Sequence, residues 1–205
     1  MEYRISVFMK YTLQSLIKQN NQQFTALIRY AEASEDIVQK ALSAYDPLPS
    51  NVRFIPNGSN IPTQRSLSQG YEELYLVRLD CDDTYRKSFI RQLQEVTPKP
   101  DTLALLNQHG YVYDSLNHRM AYIRRSSPPF YTWIYKTDEY FNSNRRYIRG
   151  HRKVIRYKHE ILTDDGKPNF MIVVHERNTS NQKMLSRYEF EANPSAVNKI
   201  LKGFI

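Results

Sequence analysis

The chain has 205 residues, with 29 Lys plus Arg against 21 Asp plus Glu, a formal charge of +8. That length predicts one domain able to bury a core of its own, and a composition 40% hydrophobic and 24% charged excludes wholesale disorder. A single cysteine, Cys81, excludes an internal disulfide and a CxxC-type zinc site, and only 6 Gly make glycine-rich phosphate cradles scarce.

No window approaches the run of apolar residues that a transmembrane helix needs. The start, MEYRISVFMKYTLQSLIKQ, lacks the features of a signal peptide, so a cytoplasmic location is expected. The basic balance suits an anionic partner: nucleic acid, an acidic lipid surface or a nucleotide phosphate.

In chain order, residues 4–19 carry a helical pattern through Ile5, Phe8, Leu13, Leu16 and Ile17. Phe24 to Ile28 reads as a buried strand. Ser34 to Ala44 reads as a helix with Ser34 as N-cap and Pro47 beyond its end. Val52 to Ile55 is a further strand, and residues 56–70 (PNGSNIPTQRSLSQG) a polar loop. Tyr75 to Leu79 is a strand, followed by Asp80-Cys81-Asp82-Asp83 and a helix from Thr84 to Val96. This alternation predicts an α/β fold with a mainly parallel sheet flanked by helices. The second half turns β-rich, with strands at Leu103–Leu106, Tyr111–Tyr113 and Arg119–Arg124 and a strand or short helix at Phe130–Tyr135. A basic run at 145–159, a turn at Asp164-Asp165-Gly166-Lys167, a β run Phe170–Val174 ending in His175, and a C-terminal helix or tail over 194–205 complete the chain.

The acidic cluster carries the most chemical information. An apolar strand delivers three carboxylates at its C-terminal end, the edge at which open α/β sheets bind ligands. In extended chain Asp80 and Asp82 point to one side. Two carboxylates in a hard-oxygen setting suit Mn²⁺ or Mg²⁺, an ion that keeps positions open for a diphosphate. The competing reading is that Asp82 or Asp83 caps the helix beginning near Thr84.

RLDCDD after a strand resembles the D-x-D region of glycosyltransferases of the GT-A, Rossmann-like fold. The pattern Arg4…Phe8…Tyr11-Thr12-Leu13-Gln14-Ser15-Leu16…Gln19…Phe24 resembles the first helix and second strand of bacterial enzymes grouped as rhamnosyltransferases. Ser127-Pro128-Pro129-Phe130 and Val173-Val174-His175…Asn178…Ser180-Asn181 are similar to later blocks of that group. The resemblance implies a single GT-A-like domain over 1–205. Residues 1–100 would be its nucleotide-sugar half and 101–205 its acceptor half. It implies a metal-dependent transferase that moves sugar from a nucleotide-diphosphate sugar to a saccharide acceptor on a polysaccharide, cell surface or spore coat.

Residue by residue, the resemblance implies that Asp80 lies near the ribose or metal and that Asp82 is the principal metal ligand, with Asp83 assisting or capping. Arg78 would touch the nucleotide or buttress the acids. His175 would be the C-terminal metal or diphosphate histidine, with His151 as competitor and a structural role as the alternative. For an inverting reaction Asp138 is the expected general base, with helix capping as its alternative. The basic run would grip diphosphate or a phosphorylated acceptor, or simply be a solvated face. No RNP, zinc-finger or helix-turn-helix pattern favours nucleic acid.

The sequence departs from the resemblance at its start, where residues 1–7 are too short for the usual first strand. A homodimer covering the exposed edge is one expectation. Two rival functions follow: a catalytically degenerate binding or assembly protein on the same fold, and a basic nucleic-acid-associated domain.

Overall fold

A computed structural model describes residues 1–142, 145–146, 150–163, 166–178 and 181–205, and for His151 and Arg152 the backbone alone. The N-terminal helical pattern forms one continuous rod: α1 (Glu2–Val7), a π-helical stretch (Phe8–Thr12) and α2 (Leu13–Ile17). Its buried face, including Ile5, Phe8, Met9, Leu13 and Leu16, packs with Val38 of α3 (Glu35–Leu42) and Val52 into one apolar cluster. That cluster covers a parallel pair formed by β1 (Ala26–Tyr30) and β2 (Val52–Pro56).

The stretch expected as a polar loop contains α4 (Asn60–Leu67). Pro62 sits in its first turn, where a missing N–H breaks no helical bond. Ile61 anchors it on a second cluster built from Trp133, Tyr135 and Tyr140. Gly70, at φ 84°, then reverses the chain in the left-handed region.

β3 (Glu73–Val77) leads to the acids, and β4 (Thr84–Tyr85) follows them. The helix expected from Thr84 begins later, as α5 (Phe89–Glu95). Tertiary bonding overrides helical propensity here. β4 pairs with a distant strand, and the Ser15 hydroxyl accepts from Tyr85 N at 3.2 Å while contacting Tyr85 O at 3.3 Å.

The second half supplies β5 (Ala104–Leu106), β6 (His109–Asp114), β7 (Arg119–Arg124), β8 (Tyr131–Lys136), α6 (Thr137–Phe141), β9 (His159–Ile161), β10 (Phe170–Val174) and α7 (Pro194–Leu201). Among the described residues the strands form three sheets, ordered β1-β2, β4-β10-β6-β7 and β3-β8-β5-β9. Pairs β1–β2, β6–β10 and β5–β9 are parallel, whereas β4–β10, β3–β8, β5–β8 and β6–β7 are antiparallel. The mixed α/β class stands, but the mainly parallel sheet is corrected. Tight turns such as the one joining β6 to β7 return the chain beside itself, which a parallel crossover cannot do. That turn is pinned by Asp114, whose fully buried carboxylate accepts from Arg119 Nε at 2.7 Å and Asn117 Nδ2 at 2.9 Å.

Phe24 and Leu79 touch both the helix-rod cluster and the central cluster around Phe89, Phe130 and Phe170, and so join the two halves. No described helix is long and apolar enough to cross a membrane.

Candidate active site

The site forms where β4 and β10 run antiparallel. Phe170 faces Tyr85 and Met171 faces Thr84, so the chain preceding β4 runs alongside the last residues of β10. This register brings Asp82 to His175. Asp82 Oδ2 lies 3.4 Å from His175 Nε2, across 93 positions of sequence. Both side chains are largely sheltered, 25% and 13% exposed.

Two further residues complete the group. Asn178 Nδ2 lies 3.0 Å from Asp82 Oδ2 and 3.1 Å from His175 Nε2. Tyr3, on the first turn of α1, places its hydroxyl 3.1 Å from His175 Nδ1. If Nε2 accepts from the Asn178 amide, Nδ1 carries the proton and donates to Tyr3. The Nε2 lone pair then points at the Asn178 amide, beside the Asp82 carboxylate. Arg177 lies over the Tyr3 ring, 4.4 Å from its centroid, and backs this arrangement.

The three acids part company. Asp83 N donates to Asp80 O at 3.1 Å, closing a turn with Cys81 and Asp82 at its corners. The extended geometry that would point Asp80 and Asp82 the same way is thus absent. Asp80 is gripped by Arg78, whose NH2 reaches both carboxylate oxygens at 2.9 and 3.0 Å. The other arm of Arg78 donates to Pro129 O at 2.8 Å, so Arg78 buttresses the acid and ties the strand end to the Ser-Ser-Pro-Pro loop.

Asp83 turns inward and is buried, with Oδ1 accepting from Val173 N at 3.1 Å. Thr12 Oγ1 donates to its carbonyl at 2.8 Å. The expectation of Asp83 as a metal ligand is therefore corrected, because its carboxylate is spent inside the sheet. Nor does it or Asp82 cap a helix, since α5 starts at Phe89 with Ser88 as its N-cap residue.

Burial, and then the charges of Asp82 and Asp80, hold the Asp83 carboxyl well above the usual range. A raised folded-state value favours the neutral acid. Its stabilisation is complete below the ordinary Asp value, about pH 4, and is lost as pH rises through and above it. Asp83→Asn, which keeps the acceptor for Val173, should flatten the decline in stability above about pH 4. Asp83→Ala should cost about 1–3 kcal/mol by orphaning that N–H. Urea denaturation of both variants at several pH values checks this; equal losses in Asn and Ala would refute it.

Asp138 is exposed in the first turn of α6. In the β3–β8 ladder Lys136 faces Glu73, whereas Thr132 faces Val77. Asp138 therefore lies beyond the start of β3, and the acids lie beyond its end. Asp138 lines a shallow cavity of about 420 Å³ with Tyr71, Glu72 and Lys136 instead. The general-base expectation is corrected on this geometry.

The basic run is partly spent on packing. Arg146 lies over Tyr135 at 4.2 Å and Arg145 over Tyr140 at 5.3 Å, while Lys158 pairs with Asp101. Arg149, the side chain of His151, and the Asp164–Asp165 part of the turn lie outside the described residues.

Among the described residues no three His, Cys, Asp or Glu side chains gather into a metal-ligand cluster. The donor set at Asp82 and His175 still fits a hard divalent ion. Two donors about 2.1 Å from one ion at a cis angle stand about 3.0–3.4 Å apart, and these stand at 3.4 Å.

The family model described as "Putative rhamnosyl transferase" matches residues 1–187. The chain belongs to that family. No curated protein matches it significantly. The family match spans every residue of the site, from Tyr3 to Asn178. Within the rhamnosyl transferase family frame, the sequence reading missed Tyr3 and assigned Asn178 no role. Asn178 lies three residues past His175, a spacing visible in the sequence, whereas nothing local in the sequence pointed to Tyr3.

Proposed function

We propose that the protein is a metal-dependent glycosyltransferase that moves a sugar from a nucleotide-diphosphate sugar to a saccharide acceptor on a polysaccharide, cell surface or spore coat. The observation that carries the reading is the approach of Asp82 and His175, at the end of two neighbouring strands, in a chain that belongs to the rhamnosyl transferase family.

Asp82 and His175 would hold Mn²⁺ or Mg²⁺. A bound cation offsets the negative charge that grows on the leaving diphosphate. With the proton on Nδ1 the imidazole donates to the Tyr3 hydroxyl, and Nε2 keeps the lone pair that would meet the cation. Arg78 holds Asp80 and the Pro129 carbonyl in one frame at the mouth of the site, where a nucleotide would lie.

One observation favours a second reading, a binding protein without transfer activity. Asp80 is already paired with Arg78, one guanidinium nitrogen reaching both carboxylate oxygens, and is less available to a ribose.

Thermal unfolding with UDP, GDP and dTDP, each with and without Mn²⁺ or Mg²⁺, tests the proposal. A nucleotide and a cation together should raise Tm where neither does alone, with about 2.7 kcal/mol of stabilisation at one hundred times Kd. No shift with any combination would overturn it. A shift without sugar transfer or nucleotide-sugar hydrolysis would select the second reading.

A further inference from the structure

Asn178 is 8% exposed, and its amide is oriented in an unusual way. Its backbone N–H donates to His175 O at 3.0 Å, which closes a turn just after β10. The side-chain Nδ2 donates to Asp82 Oδ2 at 3.0 Å and lies 3.1 Å from His175 Nε2, to which it gives its other hydrogen when that nitrogen is unprotonated. The amide oxygen, Oδ1, is buried and has no hydrogen-bond partner among the described residues. A buried carbonyl oxygen left unpaired forfeits the hydrogen bond it would make in water. This one is tolerated in a side chain whose terminal torsion is broad and roughly two-fold.

These facts share one explanation. The –NH2 group carries partial positive charge and faces the same two donors, Asp82 and His175, that a cation would bridge. A half-turn about the last side-chain bond exchanges Nδ2 for Oδ1. It would turn a hard oxygen donor toward a cation held between Asp82 and His175 and relieve the orphaned carbonyl.

We propose that Asn178 is the third protein ligand of the cation site. In the free protein its amide nitrogen stands in for the ion between Asp82 and His175. On metal binding the amide rotates and coordinates through Oδ1. The set becomes one carboxylate oxygen, one imidazole nitrogen and one amide oxygen, which leaves positions for water and diphosphate oxygens. The inference rests on the cation-site reading above, and it makes the amide a ligand where a purely structural role would make it a hydrogen-bonding strut.

The test is Mn²⁺ binding by the full chain, without nucleotide, read from the free-Mn²⁺ electron paramagnetic resonance signal. Wild type, Asn178→Ala, Asn178→Asp and Asp82→Ala are compared, with circular dichroism confirming the fold of each. Asn178→Ala should bind Mn²⁺ at least ten-fold more weakly, and Asn178→Asp as tightly as wild type or more so. A strut or mere stand-in predicts the reverse, because removing a competing –NH2 leaves affinity equal or higher in Asn178→Ala; that result overturns the proposal. If Asn178→Ala does not fold, weaker binding by Asn178→Asp overturns it instead. If wild type binds no Mn²⁺, or Asp82→Ala binds it equally well, the cation-site reading fails and the role of Asn178 falls with it. Loss in Asp82→Ala but not in Asn178→Ala removes the Asn178 role alone.

Discussion

Asp82→Ala should lower the kcat/KM of cation-dependent sugar transfer by roughly a thousand-fold, about 4 kcal/mol of transition-state stabilisation, and leave the fold intact. The expected size follows from its position. Asp82 is the one member of the acidic cluster whose carboxylate faces His175 and Asn178, since Asp80 is engaged by Arg78 and Asp83 by the Val173 amide. The fold should survive because Asp82 belongs to no hydrophobic cluster and caps no helix, α5 having Ser88 at its start. The side chain is a quarter exposed, so water can replace it against the Asn178 amide. Steady-state transfer assays in Mn²⁺, with Tm measured in parallel, decide the matter. A rate within three-fold of wild type would show that Asp82 is not the ligand. A collapsed Tm would show that the turn needs its carboxylate.

The largest effect on stability is expected at Gly110. In the β6–β10 ladder Gly110 faces Phe170, whose ring lies across the glycine. A Cβ at position 110 would stand 2.2 Å from Phe170 Cε2 and 2.4 Å from two more ring atoms. The ring has nowhere to retreat. It is fully buried and stacks on Phe130 at 4.0 Å, Phe130 meets Tyr85 edge-on at 5.5 Å, and Tyr85 stacks on Phe89 at 3.7 Å. Gly110→Ala should therefore cost about 3 kcal/mol, the upper part of the usual range for overpacking. In a chain of this size that lowers Tm by roughly 6–12 °C.

The same substitution should disturb the site, because β10 runs from Phe170 to the residue before His175. Gly110→Ala combined with Phe170→Leu should recover part of the loss, since the smaller side chain vacates the contested volume. A double-mutant cycle measures that coupling. Purely additive losses, or a Gly110→Ala protein as stable as wild type, would show that the ring is free to move.

Much of the architecture is legible in local pattern. The i, i+3, i+4 spacing of Ile5, Phe8, Leu13 and Leu16 marks the N-terminal rod, and the apolar run FMIVV marks β10. Both signals survive because a buried helix stripe or strand needs neighbouring residues of one kind at a fixed period. The turn residues around Asn57-Gly58 and Pro62 mislead, since proline and asparagine favour the first turn of a helix as readily as a loop. Thr84 and Tyr85 mislead for a different reason. Their strand exists through β10 and the Ser15 hydroxyl, partners far along the chain.

The sequence by itself determined the chemical inventory: an acidic cluster after an apolar strand, a histidine after another, and a resemblance that the family match bears out. It could not apportion the acids. Which carboxylate faces the site depends on the Asp80–Asp83 turn and on the antiparallel register of β4 with β10. Only the tertiary structure placed Asp82 against His175, sent Asp83 inward, left Asp138 at the far end of β3, and brought Tyr3 to a histidine 172 positions away. The reason is physical. Period and propensity act over a few residues, whereas a site is set by strand register, in which one step carries every side chain to the other face of the sheet.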